Sequence, residues 1–203
     1  GDRVAHRRAP PHFPAMNTAT HLLTASAALA RPHRPVRNTA VLIGALLPDA
    51  WIFGFWGWYR MQGVPEVRLW RELYWQEPWQ TIGAAANSVP LAVTLLAVGL
   101  WARISWLAVL AGAMLIHLAL DFPVHADDAH RHFWPLSDWR FHAPLSYWDV
   151  RYHADKVIWV EAALTAACLV ILWRRFGGRP ARAALTLLAM GYLGAYAYFA
   201  WVF

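Results

Sequence analysis

Residues 183–203 carry no charged side chain. A helix needs about 20 apolar residues to cross the hydrocarbon core of a bilayer. Within lipid, only a helix or a closed barrel satisfies its own backbone hydrogen bonds. Five further apolar stretches precede this one, at 17–30, 38–59, 81–101, 104–122 and 156–173. They predict an all-α polytopic membrane helix bundle of about five or six spans. A single integral-membrane domain would cover 16–203. The stretches 81–101, 104–122 and 183–203 are the strongest, being long and poor in charge. Stretch 17–30 is short and reads either as a span or as a re-entrant half-helix. Residues 1–15 are rich in Arg, Pro and His and lack the apolar core of a signal peptide, so they read as a disordered arm or leader.

Composition points the same way. The chain is 59% hydrophobic and 15% charged, against about 45–50% and 25% in soluble domains. That excludes a disordered chain and argues against a soluble enzyme. Its 14 Trp residues exceed what a core needs and suit a bilayer surface. The one cysteine, Cys168, excludes a disulfide framework and any multi-Cys zinc site. Lying in an apolar run, it reads as a buried, inert thiol.

The net charge of +6 comes from Arg placed between apolar runs, with Lys156 the one lysine. Arginines so placed set topology, and no nucleic-acid partner is expected. Loops 31–37 and 174–182, and the turn at Arg103, contain no acid and are predicted cytoplasmic. Loops 60–80 and 123–155 mix both signs and are predicted external. The one exception is the N-terminal arm, whose Arg3, Arg7 and Arg8 would lie outside if 17–30 spans. Within 64–80, Leu69, Trp70 and Leu73 recur at helical spacing, which predicts an interfacial helix lying flat at the headgroups.

Ionisable groups inside spans are functional candidates by default. Four stand out: His21, Asp49, His117 and Asp121. Taken singly, each has a bland reading as a structural hydrogen-bonding group. Together they change the odds. His117 and Asp121 are four residues apart and share one helix face. Pro123 ends that helix, so the pair points from its outer end. His21 would lie at the same end if the first segment spans. Pro48 is expected to break the second helix and turn Asp49 toward a cavity. Two His and two Asp form a site for a divalent metal, with Zn favoured and Mn or Fe possible. Such a metal activates water for hydrolysis.

Loop 123–155 adds His125, His130, His132, His142 and His153 among five aspartates. Its bland reading is a wet polar cover. His125 and Asp128 stand just past the helix end, as base or further ligand, and are the candidate catalytic residues. His125, Asp128, His130 and His132 exceed what one centre needs, leaving room for a second metal. Arg131, Arg140 and Arg151 suit phosphate, or else pair with the loop's own aspartates. Glu161 backs a ligand or orients the loop. Pro135-Leu-Ser-Asp-Trp139 is echoed as Pro144-Leu-Ser-Tyr-Trp148, with Ser137 and Ser146 as caps of short helical turns and both Trp as interfacial anchors. A haem between His21 and His117 is opposed by the neighbouring Asp49 and Asp121.

His21 in a short first helix, Leu46-Leu47-Pro48-Asp49 in the second, and His117-x-x-x-Asp121 together resemble the bacterial inner-membrane metal-dependent hydrolases, also called LexA-binding, inner-membrane-associated hydrolases. The resemblance covers residues 16–160. It implies a multi-pass protein of the bacterial inner (plasma) membrane with a metal at those four positions. Here Asp49 is followed by Ala50-Trp51, where the family commonly carries a second acid. That argues against a carboxylate-bridged metal pair. The stretch from His125 to Pro135 looks like a distinct subgroup. The reading is a metal-dependent hydrolase at the outer face, acting on a phosphorylated lipid or similar amphiphile. The alternative is a non-catalytic accessory subunit beside a membrane-protein partner, with a structural metal. A transporter is opposed by the acid-free cytoplasmic loops.

Overall fold

The structure is a computed structural model and describes residues 18–202, with side chains to residue 197. The arm or leader expected at 1–15 lies outside the described residues. The described chain is all-α. In order it forms α1 (Thr18–Leu29), α2 (Pro35–Met61), α3 (Glu66–Arg71), a 3-10 turn (Leu73–Trp75), α4 (Glu77–Ala86), α5 (Val89–Trp101), α6 (Ser105–Asp121), a second 3-10 turn (Val150–Tyr152), α7 (Ala154–Arg175) and α8 (Arg179–Val202).

Three stretches are long and apolar enough to cross a membrane: Pro35–Met61, Glu77–Trp101 (α4 and α5 in succession) and Ala154–Arg175. α6 is a shorter apolar helix of 17 residues, and α8 runs for 24. Large apolar side chains such as Leu42, Val93, Val170 and Leu187 are exposed on these helices, which suits a lipid surround. These features are those of a multi-pass membrane protein. α1 has only 12 residues, about 18 Å of helix against a core about 30 Å thick. It packs between α2, α6, α7 and α8.

α2 and α6 are the closest pair. A Cβ added to Gly44 would lie 2.1 Å from the Leu110 carbonyl oxygen, so only glycine permits this approach. The bundle is thereby drawn tight one turn before Asp49.

Pro48 does not break α2, which runs unbroken from Pro35 to Met61. An interior proline removes one N–H and crowds the preceding turn. In membrane bundles neighbouring helices re-satisfy the freed groups. The carbonyl left without its helical donor is that of Gly44, and two neighbouring carbonyls accept from outside the helix: Ala45 O from His117 Nδ1 at 2.7 Å and Pro48 O from Asn87 Nδ2 at 3.3 Å.

The interfacial helix expected over 64–80 is also corrected. That stretch is divided into α3, a 3-10 turn and the start of α4. Pro78 stands in the first turn of α4, a position where its missing N–H costs nothing. Leu69 and Trp70 are buried with Trp51, Phe55 and Tyr74, so the apolar face packs on α2.

The break between α4 and α5 anchors the His-rich loop. Ser88 caps α5 by accepting from Leu91 N at 3.1 Å and donates to the Trp134 carbonyl at 2.5 Å. Val89 N donates to the His132 carbonyl at 2.8 Å.

A candidate metal centre

α1, α2 and α6 bring His21, Asp49, His117 and Asp121 together. His21 and His117 are fully buried, and Asp121 and Asp49 are 1% and 3% exposed. The two imidazoles stack face to face, with centroids 3.6 Å apart and planes 11° from parallel. His21 Nε2 lies 3.0 Å from Asp121 Oδ1. His117 Nε2 lies 2.9 Å from Asp121 Oδ2 and 3.6 Å from Asp49 Oδ1.

His117 Nδ1 faces the Ala45 carbonyl, which can only accept, so that nitrogen carries the proton. Nε2, the other ring nitrogen, faces the carboxylate oxygens in a dry site, and its lone pair ligates a cation there when the ring gives up its second proton. His21 Nε2, His117 Nε2 and Asp121 Oδ1 make no hydrogen bonds, despite these short separations. Buried polar atoms without partners are costly. A cation among them removes that cost. Donors around a tetrahedral zinc, with bonds of about 2.0–2.1 Å, lie about 3.3 Å apart. The separations here bracket that value. Among the described residues, His21, His117 and Asp121 form a group that could hold a metal ion, their donor atoms all within 4.8 Å of one another. Asp49 stands at its edge, its Oδ2 accepting from Thr18 Oγ1 at 2.6 Å.

The loop contributes one side chain directly. His125 Nε2, buried and without a hydrogen-bond partner, lies 3.6 Å from Asp121 Oδ1. Its Nδ1 contacts Asp128 Oδ2 at 2.8 Å, and that oxygen also accepts from Trp148 Nε1 at 3.1 Å. Asp128 therefore acts on His125 and not on the cluster. Burial disfavours the His125 cation, but the Asp128 and Asp121 carboxylates outweigh it and hold its pKa well above the ordinary histidine value. Asp128 is held low chiefly by His125, against the effect of its own burial.

His130 and His132 follow behind His125, the His125–His130 rings tilted with centroids 4.6 Å apart and the His130–His132 rings edge to face at 5.7 Å. Burial and the neighbouring His125 and His132 push the His130 pKa well below its ordinary value. His132 Nδ1 is engaged by the Asn87 carbonyl at 3.1 Å. A second centre from His125, Asp128, His130 and His132 does not form, because Asp128 occupies His125 Nδ1 and the only converging group among the described residues is the first. His142 turns to the Ala126 carbonyl, and His153 caps α7 in the left-handed region.

Two of the three loop arginines are neutralised locally. Arg131 pairs with Asp138 and Glu77, and Arg151 with Asp149 and Asp127. Arg140 reaches only the Ala129 carbonyl and Gln80 Oε1. Ser137 and Ser146 close matching turns, accepting from Trp139 N at 3.1 Å and Trp148 N at 3.3 Å. No helix follows Ser137, so the expected helix caps are tight turns instead. Trp139 is exposed, whereas Trp148 turns inward to Asp128.

Glu161 is buried on α7 and accepts from Thr20 Oγ1 at 2.8 Å and from Tyr196 OH at 2.6 Å. Thr20 precedes His21, so Glu161 orients α1 and not the loop. Sequence reasoning missed Thr18, Ala45, Asn87 and Trp148. Thr18 had a legible signal, because it stands three residues before His21 on the same helical face. The others act through main-chain carbonyls or a long-range fold contact, which residue type does not announce.

No family model, curated protein or solved structure matches this chain. The buried group is therefore read from its own chemistry.

Proposed function

We propose that the chain is a membrane-embedded, metal-dependent hydrolase working at the outer face of a bacterial inner membrane. The resemblance to the inner-membrane metal-dependent hydrolases is part of that proposal. The observation that carries it is the dry convergence of His21 Nε2, His117 Nε2 and the Asp121 carboxylate without hydrogen bonds between them. In this reading α2, α4–α5, α6, α7 and α8 span, α1 is a half-helix, and the acid-free loops face the cytoplasm.

His21, His117 and Asp121 would hold the ion, zinc before manganese or iron, and Asp49 would complete its shell. A bound ion of this kind would lower the pKa of its water. His125 is the candidate general base, its Nε2 turned toward the site: a bound cation would neutralise Asp121, relax the raised His125 pKa and free Nε2 to accept a proton. Asp128 is a positioning residue that fixes the His125 tautomer through Nδ1, as a carboxylate partner does for many site histidines. Arg140, with no carboxylate in ion-pair reach among the described residues, would take the phosphate of an amphiphilic ester.

The test is hydrolysis of a phosphate monoester or phosphatidate by metal-loaded protein in detergent. His125→Gln should keep the metal and lose about 10²–10⁴-fold in rate, the range for a general base. A variant as active as wild type would remove His125 from the mechanism. One observation favours a second reading, a structural metal in a non-catalytic subunit: Asp49 and Asp121 are only 3% and 1% exposed and both histidines are wholly buried. Closed sites are characteristic of structural centres. Under it, wild type would bind metal and hydrolyse nothing.

A further inference from the structure

The end of the bundle opposite the metal centre carries a groove of about 780 Å³ between the α1–α2 turn and the start of α6. Its rim is Arg31, His33, Arg34 and Arg37, and no acid lines it. Its apolar lining is Val36, Trp106 and Val109. Basic and apolar lining side by side match an amphiphile with an anionic head.

The rim is arranged before any ligand arrives. Arg31 Nη1 donates to the Ala28 and Ala30 carbonyls at 3.3 and 3.0 Å. Arg37 Nε donates to the Leu29 carbonyl at 2.7 Å. These bonds satisfy the open carbonyls of α1 and fix both guanidinium groups, leaving their other N–H groups for an anion. Arg34 makes no side-chain hydrogen bond or ion pair among the described residues and is exposed. The first turns of α2 and α6 both border the groove, and no side chain caps either start. Two uncapped helix starts add partial positive charge to that of the arginines. Trp106, exposed in the groove lining, and Trp101, exposed at the end of α5, are the aromatic side chains expected at headgroup level.

We propose that this groove binds the phosphate of an anionic phospholipid of the inner leaflet. Arg31, Arg34 and Arg37 would hold the phosphate, and the acyl chain would follow Val36, Trp106 and Val109 into the bilayer. Basic pockets between spans on the cytoplasmic side are suited to such headgroups. The assignment needs the chain to lie in a membrane, but it does not use the metal centre. The two readings can therefore fail separately.

The test uses full-length protein in detergent, with phosphatidylglycerol, phosphatidylcholine or inorganic phosphate added. Lipid retention is read by native mass spectrometry, and melting temperature by tryptophan fluorescence. Phosphatidylglycerol should be retained in preference to phosphatidylcholine and should raise the melting temperature. Arg34→Gln and Arg37→Gln should each weaken retention about fivefold, the scale of one basic residue near an anionic surface. Arg34 is exposed and unbonded, so its replacement leaves the fold intact. Arg179→Gln, a basic residue at the same end but off the groove, should change nothing. Millimolar inorganic phosphate should not displace the lipid. Equal retention by the Arg34→Gln, Arg37→Gln double variant would overturn the site. An equal loss in Arg179→Gln would reduce it to diffuse charge. Displacement by inorganic phosphate would assign the groove to the free ion and overturn the lipid.

Discussion

Replacing Gly44 by alanine should damage both the bundle and the metal centre, and the size of the effect can be worked out. The new methyl carbon would stand 2.1 Å from the Leu110 oxygen and 2.9 Å from the Leu110 carbonyl carbon, both main-chain atoms of α6. A main chain inside a helix cannot swing aside, so α2 and α6 must separate by about 1 Å to reach ordinary contact. Overpacking of this kind costs about 1–3 kcal/mol. Alanine recovers about 1 kcal/mol through its better helix propensity, so the net loss is up to about 2 kcal/mol. The same separation moves Asp49 on α2 from His117 and Asp121 on α6. Metal donors tolerate about 0.2 Å, so affinity should fall as well. Gly54 on the same helix supplies the control, because a Cβ there meets nothing within 4 Å. Gly54→Ala should be neutral or stabilising by up to about 1 kcal/mol. The assay is thermal melting in detergent with and without zinc. If Gly44→Ala melts and binds zinc as Gly54→Ala does, the close approach of α2 and α6 does not hold the site together.

Other predictions concern single side chains. Asp128→Asn should lower metal affinity or rate by about 10–100-fold, the scale for losing a second partner of a site histidine, and should lower the melt of the metal-free protein as well, because the buried Asp128 and His125 stabilise each other's charged forms; an unaffected rate would detach Asp128 from His125. In metal-free protein, His130 stays neutral when folded because burial and its neighbouring histidines hold its pKa well below the ordinary value. The unfolded chain takes up that proton near pH 6.5, so stability should fall as pH drops below it, by up to about 1.4 kcal/mol per unit. His130→Gln should flatten that acid limb in a pH series of melts, and an unchanged slope would contradict the burial argument. For topology, Leu136→Cys should react with an impermeant reagent in intact cells and Gly177→Cys should not, both in a Cys168→Ser background; the reverse pattern would invert the orientation.

The features legible in the sequence are those that depend on residue type and local spacing. The apolar stretches became α2, α5, α6, α7 and α8, since burial or lipid is the only stable place for them. The pairing of His117 with Asp121 followed from a spacing of four on one helix. Bringing in His21 needed the topology, because α1 and α6 are far apart in sequence. The sequence could not decide how α2 would treat Pro48. α2 continues through it, with His117 and Asn87 bonding the neighbouring Ala45 and Pro48 carbonyls from elsewhere in the fold. The stretch 64–80 misled for a related reason. Its helical period is real, but it is broken into short pieces whose Leu69 and Trp70 pack on Phe55 and Tyr74. Composition made the His-rich loop look like a second metal site. Only geometry shows that Asp128 serves His125, with Trp148 behind it.

The central claim is that His21, His117 and Asp121 hold a divalent ion. The most direct measurement is the zinc content and zinc affinity of the purified protein, compared with those of the His21→Ala, His117→Ala double variant in the same detergent. Wild type should bind one tight equivalent and melt higher with it, because an ion held only by the folded state stabilises that state. The double variant should retain none and show no zinc-dependent shift. Equal zinc in both proteins, or none in wild type, would contradict the account.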